Sequence, residues 1–199
     1  MMTLTAVLFA GGESRRMGVD KATLLIAGEP LWARQLRILR ELKPEKILIS
    51  ARTRPAWCPP EIEVALDEPP SRGPLSGLNA VLKKIQTTHL LAMAVDLPRM
   101  DAGHLQALWQ RACPDCGVLP VHGNDLEPLC AIYPGSEFAL ARARQALAGK
   151  DCSLQNFAGV LLEAQRMKTV RLSELERGFY LNVNTPADLR ASGFLTSPR

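Results

Sequence analysis

Apolar runs of strand length alternate with stretches of helical periodicity along most of this chain, and that alternation restricts the fold more than any other feature. Strands are expected at 5–10, 46–50, 64–66, 90–95 and 117–121, and helices at 31–42, 75–85 and 102–112. Strands joined through helices pair in parallel, with helices covering both faces of the sheet. The fourth run is almost wholly apolar, as a central strand buried on two sides requires, and it leads into Asp96. After Val121, the residues His122, Gly123, Asn124 and Asp125 read as a turn, so 128–133 should return antiparallel and make the sheet mixed. Helices at 138–147 and 154–162, strands at 169–172 and 180–183, and a last helix begun by Pro186 complete the reading. No repeat or long linker divides residues 1–199, which suit one α/β domain able to bury a sizeable core.

The first strand runs into Gly11, Gly12 and Gly18, with Arg15, Arg16 and Lys21 inside seven residues. Glycines allow tight turns that point backbone amides at phosphate oxygens, and the cations oppose the phosphate charge. No Gly-Lys-Ser/Thr follows, so a P-loop is absent, and the glycine spacing does not match Gly-x-Gly-x-x-Gly. An ordinary Gly-Gly turn with solvated arginines is the competing account. Charge supports the phosphate reading: residues 1–60 carry ten Lys/Arg against five Asp/Glu, whereas the remainder carries fourteen against fifteen. Such a local field attracts small anions. Aromatic residues make up only 5%, which argues against stacking on a nucleic-acid strand.

No apolar stretch approaches the roughly 20 residues that span a bilayer, and no cationic region precedes the apolar patch at 6–10, so neither a membrane role nor a signal peptide is indicated. A cytoplasmic location is expected. Five irregularly spaced cysteines read as free thiols. Cys113-Pro114-Asp115-Cys116 is a single pair without a second Cys/His pair, so it cannot complete a tetrahedral zinc site. His89, His104 and His122 have no ligand spacing and read as surface or satisfied structural residues. On the helix from Leu31, the basic residues Arg34, Arg37, Arg40 and Lys43 read as a solvated face opposite Trp32, Leu36, Leu39 and Leu42.

Gly11-Gly12-Glu13-Ser14-Arg15-Arg16-Met17-Gly18-Val19-Asp20-Lys21 closely resembles the signature of the molybdenum cofactor guanylyltransferases, within the wider nucleotidyltransferase superfamily. Residues 24–36, Gly73-Pro74-Leu75-Ser76-Gly77, Asp96-Leu97-Pro98 and Asn182-Val183-Asn184-Thr185-Pro186 resemble further blocks of that family, in order. The resemblance implies a Rossmann-like three-layer sandwich with a mainly parallel, mixed sheet, of the nucleotide-diphospho-sugar transferase type. It also implies transfer of GMP from GTP to the phosphate of molybdenum-molybdopterin, and transient contact with molybdoenzyme chaperones.

By the same resemblance, Phe9, Ala10, Gly11, Gly12, Lys21, Ser50, Asp67, Gly77 and Asp96 bind nucleotide, Asp96 being the ligand of Mg²⁺. Phe9 replaces the usual leucine, and Ser50 stands where some members carry asparagine. Independently, a strand-end carboxylate suits Mg²⁺, which favours one or two carboxylates with phosphate oxygens and water, and Asp101 is the better cap for the following helix. Asn182 and Asn184 are assigned to the pterin side or to turn and cap roles alike. No His or Glu occupies a motif suited to a general base, and a phosphate acceptor needs none, being already anionic. Arg15, Arg16, Lys21 and Asp96 then form the catalytic set. A cytidylyltransferase, another phosphorylated acceptor and a non-catalytic nucleotide-binding protein are the alternatives.

Overall fold

The computed structural model describes residues 1–10 and 20–183. Gly11, Gly12, Arg15, Arg16, Asn184 and the helix expected from Pro186 lie outside the described residues. The central sheet contains β1 (Leu4–Phe9), β4 (Lys46–Ala51), β5 (Glu63–Leu66), β6 (His89–Ala94), β7 (Gly117–His122), β8 (Asp125–Leu126), β9 (Cys130–Pro134) and β10 (Met167–Arg171). Its strand order is β10-β7-β9-β6-β1-β4-β5, with β8 paired to β7. The pairs β1–β4, β1–β6, β4–β5 and β7–β10 are parallel, while β9 runs antiparallel to both β6 and β7.

Every residue of β1 and β6 is buried, because α1 (Leu31–Glu41) and α3 (Ala102–Arg111) cover one face and α2 (Pro74–Leu82), α4 (Glu137–Ala148) and α5 (Leu154–Glu163) the other. The two-residue strand period divides β1 between these layers. Ala6 and Leu8 pack with Leu36, Leu39 and Leu105, whereas Val7 and Phe9 pack with Leu75, Leu78 and Phe157. Phe9 therefore points to the α2 side.

One expectation is corrected. Residues 180–183 form no strand: Gly178–Tyr180 is a 3₁₀ turn after α6 (Glu174–Arg177), held by a 2.8 Å bond between Tyr180 Oη and His104 Nε2. Val183 N then donates to Asp96 O at 3.0 Å, so one backbone bond stands where a ladder was expected. A hairpin of β2 (Leu25–Ile26) and β3 (Glu29–Pro30) lies in a stretch to which the sequence reading assigned no element. Its turn places Ala27 and Gly28 at φ +50° and +84°; alanine seldom adopts that region, which is why Ala-Gly is a weak hairpin signal.

Candidate active site

Strand order reverses at β1, whose neighbours are β4 on one side and β6 on the other. In open α/β sheets, ligands bind beyond the strands' carboxyl ends at such a switch point. Phe9 pairs in register with Ser50 on β4 and Ala94 on β6, so three strands end at one level. Ala10 N donates to Ser50 O at 3.0 Å, and Val95 N donates to Phe9 O at 3.1 Å.

Lys21 and Asp96 meet across this point. Asp20 accepts from Ala22 N through Oδ1 at 3.0 Å and starts the 3₁₀ turn Lys21–Thr23, while its Oδ2 accepts from Trp57 Nε1 at 2.8 Å. Trp57 stacks on Trp32 of α1, with ring centroids 5.3 Å apart. Behind that support, Lys21 Nζ lies 3.4 Å from Asp96 Oδ2, and the two side chains retain 23% and 22% exposure. A cation and a carboxylate, both reachable from solvent, are what a polyphosphate with its counter-cation requires. Among the described residues no three His, Cys, Asp or Glu side chains converge into a metal-binding group.

On the other side of β1, Phe9, Ser50, Asp67 and Gly77 come together. A Cβ on Gly77 would clash with Ser50 Oγ and lie 3.0 Å from Phe9 Cε1 and 3.2 Å from Asp67 Oδ1. Asp67 N donates to Ala51 O at 3.2 Å, and Ser71 Oγ donates to Asp67 Oδ2 at 2.7 Å, which fixes the carboxylate over the end of β5. Gly73, at φ +85°, turns the chain into α2, where Pro74 occupies the first helical position. Arg72 anchors the loop from behind by donating to Leu147 O and to Gly149 O at the end of α4.

Phe9, Ala10, Lys21, Ser50, Asp67, Gly77 and Asp96 thus stand together at the carboxyl end of the sheet. Asn182 is exposed, one residue before the amide that binds Asp96 O. The histidines are engaged elsewhere. His89 Nε2 bonds Cys113 O at 3.0 Å, and His122 Nε2 lies 3.1 Å from Glu174 Oε1. Burial holds the His89 and His104 imidazoles below the usual histidine range. Cys113 and Cys116 are free thiols facing each other across an isolated bridge. Asp101 caps α3 by accepting from His104 N at 2.7 Å, which leaves Asp96 available.

Sequence reasoning missed one layer of the site. Arg34 is not part of the solvated face: its Nε donates to Pro98 O at 3.0 Å, and the adjacent Gln35 reaches the same loop. A glutamine on the apolar face of α1 was the available signal. Arg37 and Arg40 do form exposed ion pairs, with Glu29 and Glu41 and with Glu61, as a solvated face should.

A relative from Opitutus terrae, named a probable molybdenum cofactor guanylyltransferase, is 39% identical over 93% of this chain and 92% of its own length. A molybdenum cofactor guanylyltransferase from Cereibacter sphaeroides is 33% identical, with 98% of each chain covered. Among solved structures, molybdopterin-guanine dinucleotide biosynthesis protein A from Archaeoglobus fulgidus superposes with a TM-score of 0.70 at 21% identity, covering 94% of this chain and 96% of that one. The MobA-like NTP transferase domain matches residues 6–163, more than half of the sequence, and the chain belongs to that family.

Proposed function

We propose that this protein is a cytoplasmic guanylyltransferase that transfers GMP from GTP to the terminal phosphate of molybdenum-molybdopterin and releases pyrophosphate. The observation that carries the reading is the meeting of Lys21 and Asp96 at the switch point, 3.4 Å apart and open to solvent, beside the Phe9, Ser50, Asp67 and Gly77 group. Mg²⁺ is the cation that Asp96 would hold. It would screen the phosphate charges and stabilise the leaving pyrophosphate.

The remaining work falls to the chain's own residues. Lys21 lies where it can neutralise phosphate oxygens, and Arg15 and Arg16, between β1 and Lys21 in sequence, add donors for the same anion. The Phe9, Ser50 and Asp67 group, packed closely against the Cβ-less Gly77, gives the base a ring edge, a hydroxyl and a carboxylate. Guanine carries a ring N–H and an amine that a carboxylate such as Asp67 can accept from. A phosphate oxygen of the pterin attacks the α-phosphorus, and the bond from that phosphorus to the bridging oxygen of the β-phosphate breaks. No proton must be removed, which agrees with the histidines lying in structural roles. Catalysis then rests on alignment and charge stabilisation. Asn182 and Asn184 are the residues assigned to the acceptor in this scheme, and the product passes to apoenzymes or their chaperones.

Incubating the protein with GTP, Mg²⁺ and molybdenum-molybdopterin should release pyrophosphate and yield a product with the mass of the guanine dinucleotide. GTP binding without pyrophosphate release would instead support a nucleotide-binding protein without turnover.

A further inference from the structure

Gln35 is fully buried on α1 among Leu31, Leu36, Ile38 and Leu39, where an apolar residue would be expected. Its Nε2 donates to Leu97 O at 2.6 Å and to Val95 O at 3.3 Å, the carbonyls on either side of Asp96. Its Oε1 has no hydrogen-bond partner. A buried amide with one unpaired end costs stability, so this residue is not there for packing.

The bond to Val95 O fixes the peptide plane that enters Asp96, and the bond to Leu97 O fixes the plane one residue beyond, between Leu97 and Pro98. Gln35 thus pins the backbone on both sides of Asp96 and narrows the direction in which its Cα–Cβ bond leaves. The surrounding bonds finish the frame. Asp96 O accepts from Val183 N at 3.0 Å, and Pro98 O accepts from Arg34 Nε at 3.0 Å. Asp96 lies two residues beyond the end of β6 at Ala94, outside the described ladder, and side chains of α1 supply constraint there.

We infer that Gln35 is a positioning residue for Asp96: through Val95 O and Leu97 O it aims the carboxylate at the cation and phosphates. The inference rests on the assignment of Asp96 made above.

Gln35→Met keeps length and volume but removes the donor. Supports of this kind are typically worth about 10- to 100-fold in metal affinity. With Mn²⁺ as the probe, followed by electron paramagnetic resonance in the presence of GTP, the variant should bind the ion about tenfold more weakly, with a similar fall in kcat. KM for GTP should stay within about twofold, because the base and Lys21 contacts do not pass through Gln35. Leu39→Ala, a core truncation on the same helix, should lower Tm without changing Mn²⁺ affinity or kcat of the folded protein. Equal losses of Mn²⁺ affinity in the two variants would reduce Gln35 to a folding role and overturn the inference. Wild-type Mn²⁺ affinity in Gln35→Met, alongside its loss in Asp96→Ala, would overturn the inference alone. Undiminished Mn²⁺ binding in Asp96→Ala would remove the metal assignment itself. If Gln35→Met does not fold, the side-chain NH₂ resonances of Gln35 in the wild-type protein carry the test. They should move when GTP and Mg²⁺ are added, and unchanged resonances would count against the proposal.

Discussion

Gly77→Ala separates helix propensity from the demands of the site, because the two predict opposite signs. Gly77 is an interior residue of α2, where alanine is ordinarily favoured over glycine by about 0.8–1.0 kcal/mol. Here the added methyl would collide with Ser50 Oγ and press on Phe9 Cε1 at 3.0 Å and Asp67 Oδ1 at 3.2 Å. Overpacking a buried site costs about 1–3 kcal/mol, so the net change should be a loss of about 1 kcal/mol. The Ser50 hydroxyl can relieve part of this by rotating. Adding Ser50→Ala to Gly77→Ala should therefore recover about 0.5 kcal/mol or more, a coupling that a double-mutant cycle in urea would read. Displacing Ser50 and Asp67 should also weaken GTP about tenfold by calorimetry, equivalent to about 1.4 kcal/mol of lost contact. A Gly77→Ala protein that is more stable than wild type and binds GTP normally would refute the close-packed base site.

Asp96→Ala should lose nearly all turnover while its Tm changes little, since a strand-end side chain outside the core is removed; more than a tenth of wild-type activity at saturating Mg²⁺ would contradict the metal assignment. Lys21→Ala should weaken GTP binding and slow turnover, with Lys21→Arg restoring only part, because a guanidinium cannot reproduce a compact ammonium 3.4 Å from Asp96 Oδ2. Trp57 touches Asp20 next to Lys21, so GTP should change the intrinsic fluorescence and Trp57→Phe should abolish most of that change. Burial holds the His89 and His104 imidazoles below 6.5, so the unfolded chain takes up protons first as pH falls. Their contribution is complete above about pH 6.5 and lost as pH falls through the lowered values, so urea midpoints should drop between pH 7.5 and 5.5.

The strand and helix alternation made the sheet legible, and cation and carboxylate placement pointed to Lys21 and Asp96, whereas Ser50, Asp67 and Gly77 were named as site residues by the family resemblance. What escaped has physical reasons. The turn at Ala27 and Gly28 is invisible to rules that expect asparagine or glycine at positive φ. Tyr180, Leu181 and Val183 suggest a strand, yet the bonds to His104 and to Asp96 O, both remote in sequence, decide the conformation. Gln35 and Arg34 read as ordinary helix residues, because their partners at 95, 97 and 98 lie about sixty positions away and become neighbours only when α1 packs over β6.

Base selection is the most direct test of the central claim, since everything directed at phosphate would serve any nucleoside triphosphate. With molybdenum-molybdopterin as acceptor and Mg²⁺ present, kcat/KM should favour GTP over CTP by about a hundredfold or more, because a site hydrogen-bonded to guanine leaves its own polar groups unpaired with cytosine. Mass spectrometry of a reaction containing both nucleotides should then show guanine dinucleotide almost alone. Equal amounts of the two dinucleotides, or an excess of the cytosine product, would contradict the guanylyltransferase assignment.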